Sequence, residues 1–385
     1  MSGSAEPLII ATEAAGSGMG RFAVELANAL EAAGHPVTMV ARAQPYPLAI
    51  SRQVIVSPPI SPAGWRKVLE LARQSLSIAA AVLARTGPRR PLLLIHIAPT
   101  VPASLAPILA ARCRRARIVL SLHDFYPHTP RFPWALRGLE RWLYRAAYRR
   151  CDLIVTNNAA QSQRLIAEAK VPERRVRTLF HGPFVVTGLE RGPPRTELCL
   201  LVFGSLRPNK RVLESICALR QLRAEGVNVA LRIVGAPRRE DAAYWARCQV
   251  EIPADDSGFD IQPRFIADDE LAAVLSGVDA MLCPYVGFDS QSGVAVTAVS
   301  NAIPVIATVA VRVAHVELGS APWPQVADDA DAAAIAAAVR GFVAIAAPLR
   351  QAFADDLQSR FLAAAGWGTL AAHYGEAMRE LEFWR

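Results

Sequence analysis

Lysine is almost missing from this chain: its 385 residues hold three, Lys67, Lys170 and Lys210, against 39 arginines. A GC-rich genome would account for that imbalance and for the many alanines, so most of the positive charge needs no binding role. The few lysines are therefore the informative cations. Cysteine is thin as well. Cys113, Cys151, Cys199, Cys217, Cys248 and Cys283 stand singly, with no CxxC pair and no histidine at a ligand spacing, which excludes a cysteine-based metal site and predicts reduced core thiols. No apolar run is long enough to cross a membrane: the best window, Leu92 to Ala111, carries His96 and three prolines and reads as a buried strand followed by a helix. The opening MSGSAEPLIIATEAAGSG has neither a basic n-region nor a long apolar h-region, so no signal peptide and a cytoplasmic location are expected. Acidic residues are outnumbered, 34 against 42, and the net charge of +8 suits a nucleic acid, an anionic membrane surface or a phosphorylated substrate alike. No recognised nucleic-acid module or aromatic-basic RNA motif is present, so no nucleic acid is expected as partner.

What the chain does have is apolar residues, 52% of it against 20% charged, enough for large cores, and a length that predicts two domains. Short aliphatic runs alternate with helix-period segments, the pattern of parallel α/β layers. Strands are expected at Pro7–Thr12, Val37–Ala41, Leu92–Ile97, Arg117–His123 and Asp152–Asn157, and again at Cys199–Gly204, Val229–Gly235, Asp279–Tyr285 and Ile303–Thr308. The helix at Arg21–Ala33 would bury Phe22, Leu26, Ala29 and Leu30 on one face. Glycine and paired prolines in TGLERGPPRT, Thr187 to Thr196, break both periodicities and mark a linker. The expected fold class is α/β, with two Rossmann-like domains facing a central cleft. These are residues 1–190, residues 191–365, and a C-terminal helix over 366–385 that crosses back to the first domain.

Lys210 stands in FGSLRPNKRVLESI, where a strand turns into a helix and Arg207 lies three residues earlier. The planar fork of arginine and the point charge of lysine together suit a diphosphate. LRIVGAP ends a strand in Gly235, where a ligand can approach bare backbone. CPYVGFDSQSGVAVT runs from a strand into a helix starting near Gly293, so Ser290, Gln291, Ser292 and Gly293 would set hydroxyls, an amide and free N–H groups at a helix N-terminus, an anion site. An ordinary serine N-cap is the alternative.

In this order FGSLRPNKR, LRIVGAP, RFIADDELAAVLSGVDAMLCPY and SQSGVAVTAVSNAIPVIAT resemble the nucleotide-binding domain of GT-B glycosyltransferases, most of all the family 4 group and bacterial exopolysaccharide mannosyltransferases. The resemblance implies that Arg207 and Lys210 hold the donor diphosphate and that Arg264, Phe265 and Ile266 lie beside the base. In the first half, ATEAAGSGMGRFAVELANALEAAGHPVTMVA is similar to the family's opening unit, which implies that Gly18 and Gly20 let a loop close over the donor phosphates. The HD pair of LSLHDFYPH resembles the family's histidine, with His123 and Asp124 as the implied catalytic pair. Imidazole can donate to a sugar hydroxyl or take the acceptor's proton. Many family members carry two glutamates separated by seven residues in the second-half loop; here Asp289 and Thr297 fall at those positions, beside Val294 on the same segment, and the second carboxylate is missing. No DxD-like metal pair ends a strand, so no metal and no cofactor are expected.

The reading is thus a metal-independent glycosyltransferase moving a sugar from a UDP- or GDP-sugar to a hydroxyl of a polyprenyl-linked glycan in bacterial polysaccharide biosynthesis. The alternatives are a non-catalytic nucleotide-sugar-binding partner subunit and a sugar-nucleotide epimerase, which would need more carboxylates than the chain offers. Trp134, Trp142, Tyr144 and Tyr148, interleaved with Arg131, Arg137, Arg141, Arg145, Arg149 and Arg150, could lie on an anionic membrane surface at the inner face of the plasma membrane or could turn their rings inward.

Overall fold

The computed structural model describes residues 7–380 apart from 15–17, 44, 51, 57–64, 96–100, 127–131, 191–196, 254–256, 289 and 315–319. Its contacts divide the chain into two units, residues 1–182 with 364–385 and residues 183–363.

The first unit is built on seven parallel strands: β1 (Leu8–Thr12), β2 (Val37–Ala41), β3 (Arg52–Ile55), β4 (Leu92–Ile95), β5 (Ile118–Leu122), β6 (Leu153–Thr156) and β7 (Val176–Thr178), in the order β3-β2-β1-β4-β5-β6-β7. β1, β2, β4, β5 and β6 are buried along their whole length, as an unbroken aliphatic run requires when helices cover both faces. Helices α1 (Gly18–Ala32), α2 (Trp65–Arg85), α3 (Val101–Cys113), α4 (Arg137–Arg149) and α5 (Ala159–Ala167) connect them. Phe22, Leu26 and Leu30 of α1 are fully buried while Ala29 is half-buried. α5 begins where the Asn158 side chain accepts the Gln161 N–H, an N-cap satisfying one of the orphan donors of a helix start.

The second unit repeats the plan with five parallel strands, β8 (Leu198–Phe203), β9 (Val229–Val234), β10 (Phe259–Gln262), β11 (Ala280–Cys283) and β12 (Val305–Ala307), ordered β10-β9-β8-β11-β12. Its helices are α6 (Val212–Ala224), α7 (Ala242–Glu251), α8 (Leu271–Leu275), α9 (Gly293–Ser300), α10 (Val309–Ala314), α11 (Ala332–Val343) and α12 (Ala347–Ala365). Ile335, Val339 and Phe342 of α11 are buried as their spacing predicts. The last helix, α13 (Trp367–Glu380), packs on α1 in the first unit. There the Trp367 indole occupies the place a Cβ of Gly182 would take, 2.3 Å away.

Both sheets reverse their order at one point, between β1 and β4 and between β8 and β11. Ligands of doubly wound sheets bind outside the carboxyl ends of the strands at such a point. Three strands escaped the sequence pattern. β3, β7 and β10 lie at sheet edges, where RQVI, VRT and FDIQ need no continuous apolar run. The expectation that every thiol lies in a core is corrected too: Cys113 is exposed and Cys217 half-buried, and all six are free.

Candidate functional site

At the carboxyl end of β8 the chain turns out of the sheet at Gly204 (φ 88°). Beyond it Leu206 bridges to Pro237 and Arg207 precedes a 3-10 turn over Pro208–Lys210. Arg211 then adopts the left-handed conformation (φ 56°) and α6 starts at Val212. This double reversal folds Lys210 back over the strand end. Its Nζ donates to the Phe203 carbonyl at 2.7 Å, stands 5.3 Å from the Tyr285 ring centroid and is only 5% exposed. Burial, with the nearby Arg207 cation adding to it, lowers its pKa to about 7.

Glycine is required on both sides of this ammonium. A Cβ on Gly204 would lie 2.9 Å from the Lys210 Nζ and 3.5 Å from Cγ2 of Val294, and a Cβ on Gly235 (φ 143°) would lie 2.0 Å from the Gly204 carbonyl oxygen. The ends of β8 and β9, the lysine and the first turn of α9 thus converge with bare backbone between them. The loop after β11 is tied to the 3-10 turn by the Val286 N–H, which donates to the Asn209 carbonyl at 2.9 Å.

α9 starts at Gly293 with Ser292 as N-cap, its hydroxyl accepting the Ala295 N–H at 3.2 Å. Ser290, Gln291 and Ser292 are buried. The helix start adds partial positive charge to the two cations, as an anion site does. Thr297 is buried and spends its hydroxyl on the Gly293 carbonyl at 2.8 Å. Asp289 lies outside the described residues. At the end of β10, Arg264 pairs with Glu270 at 2.7 Å, Ile266 is buried, and Phe265 is 69% exposed. In the second unit, then, the strand ends gather Arg207, Lys210, Gly235, Gly293 and Val294 beside one another.

The first unit corrects one expectation. Gly18 and Gly20 belong to the first turn of α1 rather than to a loop, and a Cβ on Gly18 would meet nothing within 4 Å. His123, just past β5, is buried with both ring nitrogens engaged: Nδ1 faces the Asn157 Nδ2 at 2.9 Å and Nε2 faces the Ser121 hydroxyl at 3.4 Å. Its edges pack on Phe22 and on His181, with ring centroids 4.5 and 5.5 Å away. Asp124 beside it is half-buried. Burial lowers the pKa of His181 to about 4, against the opposing pull of the Gly182 carbonyl.

One group here carried no sequence motif. Glu13, just beyond β1, accepts the Ser75 hydroxyl from α2 at 3.3 Å, and burial pushes its pKa up to about 7 against the opposing pull of Ser75 and Arg42. Among the described residues no cluster of three His, Cys, Asp or Glu could hold a metal ion.

Residues 16–182 match the family described as Glycosyltransferase Family 4, and residues 197–344 the one described as Glycosyl transferases group 1. No curated protein matches the chain in sequence. Among solved structures, HepE of Anabaena in complex with UDP and glucose is 14% identical with a TM-score of 0.72, over 97% of this chain and 99% of that one. The trehalose 6-phosphate synthase of Burkholderia multivorans is 14% identical with a TM-score of 0.69, over 98% and 99%. A glycosyltransferase from Rickettsia africae is 15% identical with a TM-score of 0.69, over 98% of each chain. The fold is therefore the two-unit α/β GT-B fold of these proteins.

Proposed function

We propose that this chain, whose two halves match glycosyltransferase family models, moves a sugar from a UDP- or GDP-sugar to a hydroxyl of a polyprenyl-linked glycan in bacterial polysaccharide assembly. The observation that carries the donor half of this reading is the buried Lys210 ammonium. It lies against Gly204, whose other side faces Val294, and beside Arg207, with glycine backbone opening the strand ends to a ligand. As the sugar leaves, negative charge develops on the diphosphate. Arg207, Lys210 and the N–H groups at the start of α9 are fixed in place to meet it, and fixed charge in a dry site stabilises a developing anion without reorganising. With protein cations in that role, transfer is expected to need no metal ion. HepE is solved with UDP and with UDP-glucose, which makes UDP-sugars the first donors to try. The exopolysaccharide setting and a mannosyl donor rest on the motif resemblance alone.

A second reading, a nucleotide-sugar-binding partner subunit without turnover, is favoured by one observation: Thr297 stands where the second glutamate would, and its hydroxyl is bonded within α9. Release of UDP or GDP from radiolabelled sugar donors, with extracted lipid-linked glycans as acceptors and with excess EDTA, separates the two. Turnover that survives EDTA supports transfer as proposed. Donor binding without turnover across the acceptor set supports the partner subunit.

A further inference from the structure

The segment from residue 132 through α4 has an outward face that, among the described residues of the first unit, nothing covers. Trp134 is 82% exposed and Trp142 57%, with Leu136 and Leu139 each 47% exposed between them. Four large apolar side chains within nine residues make a patch, where single exposed apolar residues would need no explanation. The inward face of the same helix is well packed. Tyr144 and Tyr148 are buried, and the Tyr148 hydroxyl donates to the Phe125 carbonyl. The aromatic residues of this stretch therefore divide: tyrosines in, tryptophans out.

The exposed charges that the segment itself carries are all basic. Arg137, Arg141, Arg149 and Arg150 are exposed, and between 132 and 150 the only acid, Glu140, is buried. Leu139, Trp142, Arg145 and Arg149 follow one another at three- and four-residue steps, so they form one stripe along the helix. The apolar end of the stripe is the helix N-terminus and the basic end its C-terminus. Arg145 is held from behind, donating to the Tyr126 hydroxyl at 3.0 Å and pairing with Glu168 at 3.7 Å, so the free basic charge of the face is that of Arg137, Arg141 and Arg149.

We propose that this face is a membrane-docking surface, with Trp134, Leu136, Leu139 and Trp142 seated among the headgroups of an anionic bilayer and Arg137, Arg141 and Arg149 against its phosphates. Tryptophan rests at such an interface because its ring is apolar and its N–H needs water or a headgroup. Anionic lipid is the occupant that both halves of the patch fit. A second copy of the chain would set the same arginines against themselves, and a nucleic acid would leave the leucines without an apolar partner. Among the described residues no single helix is long and apolar enough to cross a membrane, so docking would be peripheral. The inference rests on the proposed lipid-borne acceptor only for its purpose, which is to bring the enzyme to that acceptor.

The test is co-sedimentation of the full chain with phosphatidylcholine vesicles, with and without phosphatidylglycerol, in low and high salt. The wild-type chain should pellet with phosphatidylglycerol vesicles, stay in solution with phosphatidylcholine alone, and be released by salt. Trp134→Ser with Trp142→Ser should abolish pelleting. Each of Arg137→Gln, Arg141→Gln and Arg149→Gln should weaken it about fivefold. All these side chains are exposed, so unchanged melting and UDP binding will show that the variants are folded. A wild-type chain that ignores anionic vesicles would overturn the proposal, as would tryptophan variants that pellet normally. So would a dimer that these variants dissociate, or binding to polyuridylate in place of vesicles. The assay contains neither donor nor acceptor, so failure of docking and failure of transfer are seen separately.

Discussion

The Tyr374 hydroxyl, on the last helix, donates at 2.9 Å to the hydroxyl of Ser121, 253 residues earlier in β5. Through Ser121 it reaches the Nε2 of His123. The C-terminal helix thus fastens the strand end that carries the histidine, and Tyr374 is fully buried there with its pKa pushed above its ordinary value by that burial. Tyr374→Phe is expected to destabilise the protein by about 1 kcal/mol, the usual worth of such a bond. Ser121→Ala should cost a similar amount. Because the two share one bond, the double variant should lose clearly less than the sum of the single changes in urea denaturation. Strict additivity would separate the helix from the strand end.

Lys210 predicts a pH dependence of donor binding. Its pKa in the unliganded protein is lowered to about 7 by burial, so it is charged below that value and progressively neutral above it. A diphosphate needs the charged form and must then draw a proton from solution. UDP affinity should fall between pH 7 and pH 8.5, by at most about tenfold per unit. Calorimetric titration in buffers of different ionisation enthalpy should register proton uptake at pH 8. Lys210→Met should bind weakly at pH 6.5 and show neither the slope nor the uptake.

The glycines at the strand ends predict opposite outcomes at two positions. Gly235→Ala sets a Cβ 2.0 Å from the Gly204 carbonyl oxygen at φ 143°, a conformation with a cost of about 1 to 3 kcal/mol for other residues before the clash is counted. Gly18→Ala, in a helix with open space around it, should stabilise by roughly 0.5 to 1 kcal/mol. Melting temperatures of the two variants check both signs.

Glu13 gives a linkage prediction with its own sign. Its pKa in the folded protein is raised to about 7 from an ordinary 4.5, so the folded state favours the protonated carboxyl. The stability that this contributes is complete below about pH 4.5 and is lost as pH rises to about 7. Glu13→Gln, which cannot ionise, should melt like wild type at pH 4.5 and higher than wild type at pH 8, by roughly 2 to 4 °C for each kcal/mol recovered. An equal difference at both pH values would contradict the linkage.

Much of this architecture was legible in the sequence because buried parallel strands cannot hide. LIIAT, VTMVA, LLLI, IVLSL and LIVT must be almost wholly aliphatic when both faces are covered. The edge strands β3, β7 and β10 were illegible for the converse reason. The cluster at the end of β8 was legible through Gly204, Arg207 and Lys210 because a strand followed by a glycine and two cations leaves a local trace. What no local pattern could reveal was the fate of His123: its nitrogens are taken by Asn157, 34 residues later, and by Ser121, itself fastened by Tyr374. Glu13 was invisible likewise, since its partner Ser75 lies on a helix far along the chain. The split of the α4 aromatics depended on which ring faces Phe125, a tertiary contact.

The central claim is that the second unit holds the diphosphate of a nucleotide-sugar donor with Arg207, Lys210 and the start of α9. Calorimetric titration of UDP and GDP into the full chain at pH 6.5, repeated for Arg207→Ala and Lys210→Met, tests it most directly. The account predicts saturable binding of at least one nucleotide by wild type, weakened in each variant by about 1.5 to 3 kcal/mol, the worth of one charge-assisted contact to phosphate. Unchanged affinity in both variants, with their melting intact, would contradict it.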